Sequence, residues 1–190
     1  MLDDLKYIHE RDAQDALGIA EKGWQQYLHS FGTTFSLPRD VQNIVVAGMG
    51  GSGLAAAAFS VWPGVKVPYQ TVKDYTLPAH VGANTLLICS SYSGNTEETL
   101  AVMDAATSLP DDEQPMIVVV SSGGKLAEEA TAKTLPLFTL PGGYQPRMTF
   151  GYQLRALCEI IDQTSLGSGT VAQLEEAANW LKDRVASWRL

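Results

Sequence analysis

Asn43-Ile44-Val45-Val46-Ala47 runs into Gly48-Met49-Gly50-Gly51-Ser52-Gly53, and that into Leu54-Ala55-Ala56-Ala57-Ala58-Phe59. A short apolar run, a glycine turn and an alanine-rich stretch spell strand, turn and helix. The strand shows no polar alternation. That is the pattern of a strand covered by helices on both faces, as in a parallel sheet.

The same order repeats downstream. Further strands are read at 67–72, 85–90, 116–120 and 137–140, with Pro68 marking a strand start or an edge position. Helices are read at 53–61, 96–106, 125–130 and 148–161, the last with Phe150, Leu154, Leu157, Cys158 and Ile161 on one face. Asn95 and Glu98 have the spacing of a capping box. Strands alternating with helices define an α/β fold, expected here as a three-layer α-β-α sandwich on a five-stranded parallel sheet.

Outside this core, Leu17, Ala20, Trp24 and Tyr27 or Leu28 recur at helical spacing, so residues 1–35 are expected to form a helical arm. The main domain is expected over 36–165. A C-terminal segment over 166–190 carries Leu174, Ala177, Leu181, Val185 and Trp188 as one face of a helix of about four turns. That face must pack on this domain or on a further one.

The 190 residues are 45% hydrophobic and 18% charged, enough apolar material for a core. A net charge of −8 argues against a nucleic-acid partner, which needs many Lys or Arg contacts to phosphates. It leaves room for a small anion held by one Arg and aimed backbone N–H groups. Cys89 and Cys158 match no metal spacing, and a reduced, cytoplasmic protein is expected, with neither metal nor cofactor. The first ten residues carry acidic side chains and no apolar stretch, so they do not read as a signal peptide. No stretch approaches the ~20 apolar residues of a membrane span.

Three turns carry the chemistry. In the first, glycines permit tight turning and close ligand approach, the N–H groups opening the next helix point at an anion, and Ser52 adds a hydroxyl. Gly48, Gly50 and Gly53 also fit GxGxxG, and Asp74 is a slightly late candidate for the acidic ribose contact of a dinucleotide site. A purely structural turn is the third reading. The second turn, Ser90-Ser91-Tyr92-Ser93-Gly94-Asn95-Thr96, clusters hydroxyls between a buried strand and a helix start, where they can donate to phosphate oxygens. Glu97 and Glu98 would repel a phosphate unless they face away or are paired. The third, Pro141-Gly142-Gly143-Tyr144-Gln145-Pro146-Arg147, sets Arg147 in the first turn of a helix, against the dipole preference for cations at the other end.

Together, Gly48-Met49-Gly50-Gly51-Ser52-Gly53, Ser91 through Thr99, and Pro141 through Arg147 with Phe150-Gly151-Tyr152 behind it resemble the bifunctional phosphoglucose/phosphomannose isomerase family, built from two sugar-isomerase (SIS) domains. The resemblance runs over roughly residues 40 to 160. It implies a flavodoxin-like SIS domain, a hexose 6-phosphate ligand and a homodimer at full length. It also implies that Gly50, Gly51 and Ser52 lie at the sugar-phosphate site, that Ser91, Ser93 and Thr96 bind the phosphate, and that Arg147 stabilises an enediolate. The family takes its general base and ring-opening groups from a glutamate, a histidine and a lysine of the second SIS domain. His9, His29 and His80 match none of those positions.

Overall fold

The computed structural model describes residues 4–164 and 166–188; Met1, Ser165 and Leu190, where expected segments begin or end, lie outside the described residues. Strands β1 (Asn43–Ala47), β2 (Tyr69–Val72), β3 (Thr85–Ser91), β4 (Met116–Ser121) and β5 (Leu137–Thr139) pair in one parallel sheet of order β2-β1-β3-β4-β5. The register sets Ile44 beside Tyr69 on one side and Leu86 on the other. This is the flavodoxin-like order, with its reversal between β1 and β3.

The helices are α1 (Leu5–His9), α2 (Ala16–Glu21), α3 (Trp24–Tyr27), α4 (Gly50–Phe59), α5 (Glu97–Thr107), α6 (Gly124–Ala132), α7 (Phe150–Asp162) and α8 (Thr170–Trp188). Strand residues alternate between two cores, as the pleat requires. Ile44, Val46, Leu86 and Ile88 face α4 and α7, whose Phe59, Leu157 and Ile161 close that side. Val45, Ala47, Leu87 and Cys89 face Val102, Met103, Leu126 and Ala130 of α5 and α6. All seven residues of β3 are buried. At about 1.5–3 kcal/mol for each large aliphatic side chain withdrawn from water, this central strand anchors both layers. The three-layer sandwich is thus as expected, with β2, preceded by Pro68, at an edge.

Four local expectations need correction. The helix expected from Gly53 begins at Gly50, because the glycines form its own first turn. The helix expected over 148–161 is two pieces: a 3-10 turn at Pro146–Met148 and α7 from Phe150, so Arg147 sits in the 3-10 turn and not in the α-helix. The capping box does not form: Thr96 is the N-cap of α5 and makes no side-chain cap bond. Asn95 turns outward instead; its Oδ1 accepts from Lys125 N–H at 3.2 Å and its Nδ2 donates to the Ser93 carbonyl at 3.3 Å. Lastly, α8 spans 19 residues and buries Leu174 and Ala178, leaving Ala177 and Trp188 exposed.

The arm is three short helices. Asp12 interrupts it by accepting from the N–H groups of Ala16 (2.8 Å) and Leu17 (2.9 Å), which start α2. The α3 and α8 segments both pack on α7 and on each other. Arg155 of α7 fastens the three together: its guanidinium pairs with Glu159 at 2.8 Å and Glu175 at 2.7 Å, and donates to the Tyr27 carbonyl at 3.0 Å. Among the described residues, no helix is long and apolar enough to cross a membrane.

Candidate functional site

In a parallel sheet every strand ends on the same edge, so the turns after β1, β3, β4 and β5 gather there. From β1 the chain leaves to α4 on one face, and from β3 to α5 on the other, so Gly48–Gly53 and Ser91–Thr96 flank the point where the strand order reverses.

In the first turn, the N–H groups of Gly50, Gly51 and Ser52 open α4 and have no acceptor within the helix. Gly50 is exposed, at φ +52. Gly51 has to be glycine for a reason of contact: a Cβ there would lie 2.9 Å from the Pro146 carbonyl oxygen. The missing side chain lets the 3-10 turn bearing Arg147 press against the start of α4.

In the second turn, Ser91 is buried and its Oγ accepts from Gly94 N–H at 3.1 Å while sharing a 2.7 Å hydrogen bond with Thr96 Oγ1. Only one of the two hydroxyl hydrogens is used in that mutual bond, so the pair keeps one donor. Ser93 is exposed and its Oγ accepts from Asn95 N–H at 3.3 Å, which leaves its O–H free to donate. Gly94 sits at φ +69, and a Cβ there would collide with the Gly123 carbonyl. The next turn, Ser121 to Lys125, therefore lies flush against this one.

Tyr92 joins the turns. Its N–H donates to Ser52 Oγ at 3.3 Å, and its carbonyl accepts from Ser122 N–H at 3.1 Å and Ser122 Oγ at 2.6 Å. Its Oη donates to the Pro141 carbonyl at 3.1 Å and accepts from Tyr144 N–H at 2.9 Å. From its own turn after β3, this one buried residue thus touches the turns after β1, β4 and β5. Sequence reasoning gave Tyr92 no role, because an aromatic inside a hydroxyl-rich turn carries no periodic signal. It also missed the Ser121–Lys125 turn and Gln26.

Behind Arg147, Thr149 Oγ1 donates to the Pro146 carbonyl at 2.8 Å and accepts from Gln153 Nε2 at 2.9 Å. Arg147 itself is exposed and, among the described residues, enters no ion pair, so the surface salt bridge that would explain it trivially does not form. Lys73, at the end of β2, lays its stem across Gly53. Glu97 accepts from Tyr75 Oη at 3.3 Å, which occupies one of the two carboxylates of concern. The negative charges of Glu98 and Glu97 in turn raise the Tyr75 phenol above its ordinary value.

The remaining titratable candidates lie elsewhere. His80 lines a cavity with Asn43 and Tyr69 at the opposite, amino edge of the sheet. His29 sits edge-on to Phe31 and Tyr152. Cys89 and Cys158 are buried free thiols, and desolvation pushes both up to about 12.

The structure thus brings hydroxyls, helix-start amides and an arginine with no ion pair among the described residues to one strand-end edge of a parallel α/β sandwich. In sequence the chain is homologous to phosphosugar-isomerase-like proteins of the SIS type. It is 36% identical over 146 residues to the bifunctional phosphoglucose/phosphomannose isomerase of Caldicellulosiruptor bescii, a match covering 76% of this chain and 42% of that protein. It is 34% identical over 145 residues to the D-glucosamine-6-phosphate 4-epimerase of Sulfolobus acidocaldarius, covering 76% of this chain and 44% of that one. The chain thus spans less than half the length of these curated relatives. No family model matches it. Among solved structures, the tagatose-6-phosphate ketose/aldose isomerase of Escherichia coli shares the fold, with a TM-score of 0.52 at 17% identity over 91% of this chain and 48% of that one.

Proposed function

We propose that this edge binds a hexose 6-phosphate, and that the chain is the sugar-phosphate half of an aldose–ketose isomerase that interconverts glucose 6-phosphate or mannose 6-phosphate with fructose 6-phosphate. The observation that carries the reading is the convergence at Tyr92: the turns holding Ser52, Ser93 and Arg147 are bonded to one residue or pressed against one another. Ser93, and the Ser91–Thr96 pair through its one spare hydroxyl hydrogen, donate to the phosphate, helped by the start of α5. Gly50, Gly51 and Ser52 close the other wall with backbone N–H groups and a hydroxyl. Arg147 faces the reacting carbons.

Isomerisation opens the ring, moves a proton between C2 and C1, and passes through a cis-enediol. Negative charge grows on the enediolate oxygens, and a fixed guanidinium there is worth more than in water. The C–H proton transfer needs a general base of its own, and this reading assigns it to a second domain or subunit. In the longer protein, we propose a cytoplasmic homodimer.

A second reading is favoured by the similarity to the epimerase, which is nearly equal to that to the isomerase. There the same sugar-phosphate module serves other chemistry, or none. The readings share a binding test. Calorimetric titration with fructose 6-phosphate and with 5-phospho-arabinonate, an enediolate mimic, should give saturable binding below millimolar concentration. Ser93→Ala and Arg147→Ala should each weaken it by roughly 1.5–3 kcal/mol, about 10- to 150-fold, the worth of a charge-assisted hydrogen bond. Absence of binding, or affinity untouched in both variants, would end the proposal. Turnover of fructose 6-phosphate by the longer protein separates the isomerase from the module.

A further inference from the structure

Gln26 belongs to the arm, yet its side chain is buried against the turn that bears Arg147. Its Nε2 donates to the Met148 carbonyl at 2.7 Å, and its Oε1 accepts from Gly151 N–H at 3.1 Å and Tyr152 N–H at 3.4 Å. A single amide therefore bridges the end of the 3-10 turn and the start of α7. The fit is close: a Cβ on Gly151 would stand 2.7 Å from the Gln26 Cβ. An amide satisfies all three groups at once, one end donating and the other accepting. The arm takes hold on the other flank as well, where Gln145 Nε2 donates to Gln14 Oε1 at 2.9 Å. Arg147 lies between these two grips, while Gly51 backs Pro146 from the side of α4. Since no ion pair orients the guanidinium among the described residues, its position is set by this backbone mount.

We propose that Gln26 is a positioning residue for Arg147, coupling the N-terminal arm to the anion-binding edge. The inference rests on the reading of Arg147 as a ligand contact. A displacement of about 1 Å at such a group is enough to cost much of its effect.

The test is a double-mutant cycle on the whole chain, read as affinity for 5-phospho-arabinonate. Gln26→Leu should weaken binding about tenfold in the native background, as for residues coupled through a shared backbone shift. In the Arg147→Ala background it should change affinity less than about twofold, within the limit for uncoupled sites. Equal losses in both backgrounds, or no loss in the first, would overturn the coupling. Gln26→Glu, which keeps size and the acceptor but loses the donor to Met148, should show the same background dependence with a smaller loss. Equal losses from it in both backgrounds would count against the proposal in the same way. If neither variant folds, the native chain still decides: the side-chain amide resonances of Gln26 should shift in step with ligand saturation, and unmoved resonances would overturn the coupling. Failure of the underlying site is told apart by Arg147→Ala alone, whose unchanged affinity would remove the site and this inference with it.

Discussion

Tyr92 shows what one side chain can fix at this edge. Replacing it with Phe keeps the ring in its buried place but removes the phenolic oxygen, leaving the Pro141 carbonyl and the Tyr144 N–H without their partner. Unsatisfied groups of this kind cost roughly 1–3 kcal/mol, so urea denaturation should show Tyr92→Phe destabilised by about that amount with the slope unchanged. His29 makes a second prediction. Desolvation lowers its pKa, Glu159 partly opposes this and Arg155 adds to it, so the folded chain favours the neutral ring. The unfolded chain then binds more protons near the ordinary value of 6.5, and stability rises with pH there. His29 thus contributes stability above that value that is lost as pH falls below it. The thermal midpoint should drop between about pH 7.5 and 5.5, and His29→Phe should flatten the drop. Neither role was legible in the sequence. Tyr92 and His29 act through contacts with residues far along the chain, and no local spacing encodes such partners.

Secondary structure elements were far more legible than their ends. Unbroken apolar runs marked β1, β3 and β4, because burial on both faces leaves a signature independent of partners, while β2 and β5, at the edges and only partly buried, were legible from their place in the strand–helix alternation. Boundaries failed where side chains found better bonds than the local rule supplies. Asn95 bonded across to Lys125 instead of capping α5, and the 3-10 turn at Pro146–Met148 replaced the expected start of α7. The junction of α3, α7 and α8 was invisible in the sequence, since it depends on a buried arginine of α7 whose partners on α3 and α8 lie far along the chain. Arg155 is 5% exposed and holds Glu159, Glu175 and the Tyr27 carbonyl. Removing one partner of such a group strands the others, so Arg155→Ala should destabilise the chain by about 3 kcal/mol in chemical denaturation. A loss under about 1 kcal/mol would mean that the three helices hold together by apolar packing alone.

The assembled molecule divides into a scaffold and a rim. The scaffold is a parallel sheet in two apolar cores, and it was readable from composition and period. The rim was readable only in part: the three turns stood out by their glycines, hydroxyls and lone arginine, but their mutual contact is a product of strand order. The order β2-β1-β3 sets the turns after β1 and β3 side by side, and Gly51 then lets the Arg147 turn close over α4. An apolar groove of about 370 Å³ between Trp24 and Tyr27 of the arm and Leu181 and Val185 of α8 lies apart from this rim. Amide NMR of the uniformly labelled chain, titrated with fructose 6-phosphate, reports on the whole surface at once. The signals of Gly50–Ser52, Ser91–Thr96 and Gln145–Met148 should move together with one binding constant. Saturable shifts clustered instead at the amino edge near His80 or in the groove beside Trp24, with these three turns silent, would contradict the site.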